Sequence, residues 1–584
     1  DIDRDNERVF AKTDELQQWT GDWHPGNLVA VGELVLSAGA NRLVAFPQAG
    51  PLLSSIERDF QNQPLSGQAK VRAAELNLAL GDMNSARTQL TEVLAETMPP
   101  SEVEWVETLL RELLYLQLRH QSGNNGLFAQ LAQLSKTPVR RGRYLMQRAE
   151  AQLKRGDFSG VLQSTRDFSA LNLNQPLPTV GDPSLRVTAA SWVRSIVGRV
   201  QSQFGDTQLA EIVAHIDQEQ QLSLAADGTG RLERFLTVYS QWPQADRIRN
   251  DLARRYIAAG RFQQAELLLL INRRSPDHEV ALQSTAMLAG LWDRLGLWHE
   301  AAGLLKEIEE QSADVNVSDG TSTRELLPEF SPSGLTAYAL KQRVLPEWEI
   351  SRVDIFQRPW TEIDPHLAET YGRYRRRFPT KGNSTFQLLV KGSSGTEKLA
   401  VIDRHTGRIV SNIPIPQGVS YPTTQHMADV GHFVPLGGQA AVNGISLLRG
   451  DAKQPLWTTK PQGLASPQEV LRVGPAGPSF CSFQARRHLV VTDPGSGRIL
   501  WQRTDLDPRG GLLNDPYAGL FGDDNVLVLF AADRSSYTVY KSATGEILRT
   551  GRLDIEVNQQ RRVFGRKLCY VARTEKGLRI RIWD

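Results

Sequence analysis

One phrase recurs along the last third of the chain, and a repeat at near-regular spacing leaves few folds open. It reads Asp403-Arg-His-Thr406-Gly407-Arg-Ile-Val, then Asp493-Pro-Gly-Ser496-Gly497-Arg-Ile-Leu-Trp501, then Lys541-Ser-Ala-Thr544-Gly545-Glu-Ile-Leu. An apolar, β-branched run precedes each copy, at residues 399–402, 489–492 and 537–540. Strand, tight polar turn with Gly, then strand is the signature of a β-hairpin. The turns at Asp403 and Asp493 are 90 residues apart, and those at Asp493 and Lys541 are 48 apart. The longer interval holds a degenerate copy, residues 441–448 followed by Pro455-Leu-Trp457. Each unit is therefore about 45 residues long, the size of a four-stranded propeller blade.

The residue types suit the turn. An Asp at its start can accept bonds from the backbone that follows, and Ser or Thr does so more weakly. Gly takes positive φ without a Cβ clash. Trp501 is placed to lie between adjacent units and bury a large area. The pattern D-x-x-[ST]-G-x-x-x-W resembles the PQQ-like β-propeller repeat, which is also seen in quinoprotein dehydrogenases and in the outer-membrane assembly lipoprotein BamB. Only residues 493–501 carry the whole pattern: the Trp position is Ser411 in the first copy and Arg549 in the third, and Lys541 replaces Asp. The resemblance implies propeller blades over residues 345–584, with structural roles in the turns for Asp403, Thr406, Gly407, Asp493, Ser496, Gly497, Trp501, Thr544 and Gly545. A similar blade pattern, Leu34-Val-Leu36 and Leu43-Val-Ala-Phe46 around a small polar turn, places a blade segment in residues 1–55. Its expected partners are the strands after residue 345, across an insertion that loop-closure entropy tolerates.

The insertion has a different period. Apolar residues recur at helical spacing over 71–98, 251–272 and 286–308, and again around Ala149 and Leu153. In each segment a Gly (Gly81, Gly156, Gly260 or Gly296) ends one helix and a second helix follows. Gly260 and Gly296 are 36 residues apart, and the pattern resembles the tetratricopeptide repeat of about 34 residues. Residues 56–315 are thus expected to form an all-α solenoid of about five to seven helical hairpins. Stretches 173–185 and 225–231 are expected as loops within it, and 316–344 as a linker. The fold class is multidomain, an all-β propeller plus an all-α solenoid.

Composition narrows the function classes. The 67 basic and 65 acidic residues leave a net charge of +2, which gives no field for a polyanionic partner across the whole surface. No apolar run nears the roughly 20 residues of a membrane helix. Two cysteines, Cys481 and Cys569, lie in strand-like segments and exclude a disulfide framework. Because the chain begins at Asp1 and stops within a blade pattern, it is expected to be a piece of a larger protein, so its compartment is unknown from the chain. A periplasmic or exported location is implied by the resemblance alone.

Chemistry-bearing patterns are sparse. A quinone dehydrogenase needs Ca²⁺ ligands, an Asp base and stacking groups, and no residue-by-residue match to such a site is found; many of these enzymes also carry adjacent cysteines, which this chain lacks. The ten histidines show no metal-ligand spacing. Asp1-Ile-Asp3-Arg-Asp5-Asn6 opens like a calcium loop but has Asn6 where Gly is required and Lys12 where Glu is required. Among basic residues, Arg373, Arg375, Arg376 and Arg377 form the densest run, interleaved with Tyr374 and Phe378. They are a candidate patch for an anionic partner, expected to be solvated while an aromatic packs inward; any nucleic-acid binding there is expected to be weak and salt-dependent. The expectation is a non-enzymatic scaffold without cofactor or metal, binding other proteins or cell-envelope components and no specific nucleic acid. Its resemblance to large PQQ-like repeat proteins of the planctomycete type, which look exported, supports this. The alternative is a quinone-dependent oxidoreductase or a quinoprotein-like sensor.

Overall fold

Helical hairpins and open antiparallel sheets share the chain. The computed structural model describes residues 2–3, 8–9, 27–32, 34–38, 43–47, 55, 58, 67–79, 81–171, 173, 175–203, 206–312, 336, 377–378, 385–391, 397–403, 409–415, 432–438, 440–448, 455–461, 471–485, 487–506, 520–531, 533, 535–553, 561–564, 567–574 and 577–583. The expected linker lies almost wholly outside these residues. The chain divides into two compact units, Asp1–Lys136 and Thr137–Asp584.

In the first unit, β1 (Ile2–Asp3) pairs with β2 (Arg8–Val9). β3 (Asn27–Val31), β4 (Leu34–Ala38) and β5 (Leu43–Pro47) form a three-stranded antiparallel meander. Four helices follow: α1 (Gly67–Ala79), α2 (Met83–Leu94), α3 (Pro100–His120) and α4 (Asn125–Leu134). The blade-like segment expected before residue 55 is therefore a sheet whose described strands pair only with one another.

The second unit opens with α5 (Pro138–Lys154) and α6 (Phe158–Ala170). After two short strands, β6 (Leu177–Pro178) and β7 (Leu185–Val187), come α7 (Ala189–Gln203), α8 (Asp206–Leu224), α9 (Gly230–Tyr239), α10 (Gln244–Ala258), α11 (Phe262–Asn272), α12 (His278–Arg294) and α13 (Trp298–Ser312). The hairpin turns share one mechanism. At Gly81, Gly156, Gly260 and Gly296, φ lies between +73° and +84°. The residue after each donates its N–H back to the preceding helix: Asp82 to Asn77, Asp157 to Gln152, Arg261 to Tyr256 and Leu297 to Trp292. This is the Schellman closure, which satisfies carbonyls that a helix end leaves open. In two of the four, an Asp then caps the next helix, Asp82 accepting from Ser85 N–H and Asp157 from Gly160 N–H. Close helix approach uses small buried residues, Ala86, Ala265 and Ala301.

The β-rich part holds separate sheets, none of them closed. One runs β8 (Arg377–Phe378), β9 (Thr385–Lys391), β10 (Glu397–Asp403), β11 (Ile409–Ile415). The next holds β12 (Phe433–Gly437), β13 (Val442–Ser446) and β14 (Trp457–Thr459). Then come β15 (Arg472–Gly477), β16 (Phe480–Gln484), β17 (Leu489–Thr492) and β18 (Ile499–Arg503), followed by β19 (Leu520–Gly522), β20 (Val526–Phe530), β21 (Ser536–Lys541) and β22 (Ile547–Arg552). β23 (Arg561–Phe564), β24 (Lys567–Thr574) and β25 (Gly577–Trp583) complete the order. Strands β12, β13, β16, β17 and β18 are buried along their whole length. Both faces of these strands are covered, including the polar residues Asn443, Ser482, Gln484, Gln502 and Arg503.

The repeat is visible in the pairing itself. Each of the three phrases follows a register shift one residue before its turn: Val401/Ile402, Val491/Thr492 and Val539/Tyr540. A bulge at that place twists the hairpin and re-aims the turn. Successive sheets are then joined by tryptophan. Trp457 donates its indole N–H to the Pro494 carbonyl at 2.7 Å, and Trp501 donates to the Ser542 carbonyl at 2.7 Å. Both acceptors sit one residue into the turn of the following sheet. A Cβ built on Gly497 would run into the Trp457 ring, and one on Gly545 would meet Trp501 and Leu185 at 2.7 Å. Gly is required at both places by positive φ and by the indole against it.

One expectation is corrected. Residues 173–185 are not simply a loop of the solenoid. β6 and β7 extend the β15–β18 sheet to six strands, with β7 antiparallel to β18 in the register Trp501↔Val187 and Arg503↔Leu185. Of the prolines that signalled a loop, Pro178 lies in the edge strand β6, where Pro is tolerated, and Pro183 lies in the turn before β7.

Trp501 is fully buried, so Trp501→Ala should destabilise the second unit by about 3–5 kcal/mol. Denaturant unfolding of the two proteins measures this, and a loss below about 1 kcal/mol would remove Trp501 from its joining role.

Candidate functional site

A strip of polar contacts forms where helices of the second unit meet the β-turns. The 493–497 turn is closed by Asp493, whose Oδ1 accepts from Ser496 N–H and from Ser496 Oγ–H, each at 2.7 Å. Its backbone closes through Gly497 N–H to Asp493 O and Asp493 N–H to Arg498 O. At 541–546 the same two backbone bonds form, from Gly545 to Lys541 and from Lys541 to Glu546. Lys541 offers no acceptor, and Thr544 Oγ1 donates to Glu546 Oε2 instead at 2.9 Å. Loss of the Asp thus changes the side-chain bond and keeps the turn.

Helices sit on both turns. From α7, Ser191 Oγ–H donates to Ala543 O at 2.7 Å, and Ser195 hydrogen-bonds the Glu546 carboxylate. From α11, Gln264 and Leu267 lie against Gly495, with Gln264 Nε2 donating to its carbonyl at 3.4 Å. Just before α7, Thr188 donates from both N–H and Oγ1 to Leu500 O. Beneath this seam Arg503, almost wholly buried, donates to Asp182, Asp505 and the Gly545 carbonyl and faces the Tyr540 ring. Burial alone would lower its basicity; the Asp505 and Asp182 carboxylates outweigh that and raise it.

A second anchor lies deeper. Glu266 on α11 is fully buried, as is His432 at the entry to β12. The Glu266 carboxylate accepts from Gln263 Nε2 at 2.6 Å, Trp292 Nε1 at 2.8 Å and His432 N–H at 3.0 Å, with His432 Nδ1 at 2.7 Å. A buried carboxylate is tolerable only with such saturation. Trp292 also meets the His432 ring edge to face at 5.4 Å. Arg194 on α7 is pulled down in basicity by burial, with the charge of Asp493 opposing the shift. Cys481, buried in β16, has its thiol pushed well up by burial first and by Asp493 second.

The structure brings Asp493, Ser496 and Gly497 into one turn and Thr544 and Gly545 into the next, with Trp501 bridging from the first sheet to the second. Asp403 ends β10, whereas Thr406, Gly407, Arg373, Arg375 and Arg376 lie outside the described residues. Arg377 begins β8. Sequence reasoning missed Arg503, the β6–β7 edge and the Glu266–His432 pair. Glu266 alone left a signal, a single acid within the run Ala265-Glu266-Leu267-Leu-Leu-Leu-Ile271. Among the described residues, no three His, Cys, Asp or Glu side chains are grouped to hold a metal ion. No described helix is long and apolar enough to cross a membrane.

No family model matches the chain, and no curated protein matches its sequence. Distant likeness is found to solved structures. BamB from Moraxella catarrhalis is 13% identical, with 34% of this chain and 58% of that one covered at a TM-score of 0.22. A quinohemoprotein alcohol dehydrogenase from Pseudomonas putida is 10% identical, covering 34% of this chain and 37% of that one at 0.20. The P58(IPK) TPR domain is 16% identical, covering 50% and 95% at 0.17. The chain thus spans less than two thirds of the length of the BamB and dehydrogenase structures. Likeness of this strength leaves function to be argued from the chain's own geometry.

Two measurements check the seam. Glu266→Ala leaves the His432 and Trp292 donors facing apolar surroundings and should cost about 3–5 kcal/mol, read by denaturant unfolding; an effect under about 1 kcal/mol would show the network to be dispensable. Cys481 should resist alkylation in the native protein and react only on unfolding, because the reactive thiolate is disfavoured by burial. Peptide mass spectrometry after an iodoacetamide pulse reads this, and rapid native labelling would contradict it.

Proposed function

We propose that this protein is a non-enzymatic scaffold: a stack of PQQ-type propeller blades carrying an inserted tetratricopeptide-like arm, which presents surfaces to other proteins or to cell-envelope components. One observation carries the reading. The residues of the repeated phrase are engaged in structure, with Asp493, Ser496 and Gly497 in turn closure and Trp501 in a bond to the next sheet. The helices are tied to those same turns. Such a seam holds two kinds of recognition module at a fixed angle, and helical repeats present extended surfaces made of helix faces. The blade reading is supported by the shared bulge positions and by the two Trp-to-turn joints between successive sheets. A periplasmic or exported setting fits the resemblance stated from sequence.

The competing quinone-dependent oxidoreductase would use the same sheets differently, with convergent carboxylates around Ca²⁺ and a stacked cofactor. The experiment has two arms. Purified protein is incubated with pyrroloquinoline quinone and Ca²⁺ and assayed for retained cofactor and for dye reduction with alcohols and sugars; neither is expected. In parallel, cross-linking in cells that make the protein should trap a small set of partners through the exposed helix face bearing Arg247 and Arg254. Partner cross-links should fall when both arginines are changed to Glu. Quinone-dependent dye reduction would overturn the scaffold reading.

A further inference from the structure

The fourth strands of two successive repeat units are treated differently. β18 is covered, because β7 adds to it as a further strand. β22, in the same place one repeat later, is the last strand of its sheet, and no described strand pairs with its outer side. The backbone shows which groups that leaves open. Leu500 O accepts from Thr188 N–H, and Thr504 N–H donates to Ser184 O, so even-numbered residues of β18 face outward to β7. Aligning the turns at Asp493 and Lys541 maps residues 500, 502 and 504 onto 548, 550 and 552. The inward parity agrees, since Leu553 N–H donates to Ser535 O on the β21 side. Thr550 and Arg552 therefore direct their N–H and C=O groups away from the sheet, and Leu548, at the bulge, its C=O as Leu500 does.

The side chains of this edge carry a second signal. Ile547 is 45% exposed and Leu548 54%, on a strand whose counterpart β18 is buried throughout. Arg549 and Arg552 are exposed beside them, and neither has a carboxylate partner among the described residues. An unguarded strand edge is a template for another strand. Here the apolar and cationic side chains specify what that strand should carry.

We propose that β22 is a docking edge for an extended, acidic–apolar segment of a partner protein, which adds to it as β7 adds to β18. Main-chain bonds to residues 548, 550 and 552 supply affinity, and side chains opposite β22 supply choice. In the β7 register, the partner positions facing Arg549 and Arg552 correspond to Val187 and Ser184. Acidic residues there would make opposite-charge cross-strand pairs. The proposal rests on the scaffold reading but fails separately from it, since partner cross-links at the helices do not depend on this edge.

The test uses the full chain and a fluorescein-labelled peptide copying residues 177–188 with Ser184→Glu and Val187→Glu, read by anisotropy. Saturable binding is expected, weaker for the peptide without those two changes. Thr550→Pro removes one outward N–H and leaves every bond to β21; it should weaken binding by about tenfold or more, equal to about 1.4 kcal/mol, with an unchanged melting temperature. Should that variant misfold, Arg549→Glu with Arg552→Glu reads the same edge and should reverse the preference between the two peptides. Three results would overturn the proposal: no binding of the acidic peptide, binding insensitive to both sets of edge changes, or sedimentation showing a dimer that Thr550→Pro dissolves. The last would assign the edge to a second copy of this chain.

Discussion

The β-rich part of the second unit depends on an indole lying across a glycine. Trp457 projects from β14 and Trp501 from β18, and each bonds a carbonyl in the turn of the next sheet. The indole N–H cannot be left unbonded inside a core without cost. The ring needs a flat floor, which a Cβ at Gly497 or Gly545 would obstruct. One contact thus fixes sheet spacing, turn conformation and the identity of the turn residue together. The core built around Phe433, Val442, Trp457, Phe483 and Val490 follows from that spacing.

The helices extend this arrangement and do not merely interrupt the chain. Ser191 from α7 and Gln264 from α11 address backbone carbonyls exposed by the turns, groups that any side chain at those turn positions would still present, while Ser195 reads the Glu546 side chain. Recognition of the main chain explains how the arm can track a repeat whose letters drift from Asp493 to Lys541. Two sites add charge. Arg503 is held by Asp182 and Asp505, and Glu266 is held by four donors. Both are buried, so their value lies in orientation as much as in energy: removing one partner leaves a desolvated group unsatisfied, which penalises any other seating of the arm.

The sequence by itself determined the periodic features. Helical spacing and the glycines at 81, 156, 260 and 296 located the hairpins, because a Schellman turn needs positive φ at one residue and helix packing needs an apolar stripe. The Asp-x-x-Ser-Gly phrase located the β-turns for the same local reason. Those requirements are met within a few residues, so they leave a mark in the string. Tertiary structure alone decided the rest. Pairing of β7 with β18 joins residues more than 300 apart in the chain, and a three-residue strand at a sheet edge has no period to detect. The bond from Glu266 to His432 spans 166 residues, and an acid in an apolar run does not say where its donors are. That no described strand pairs with the outer side of β22 is likewise invisible in its own letters, since Ile547 and Leu548 read like Ile499 and Leu500. What separates the two strands is that β7 reaches β18 while no described strand reaches the outer side of β22, and only the folded chain fixes that.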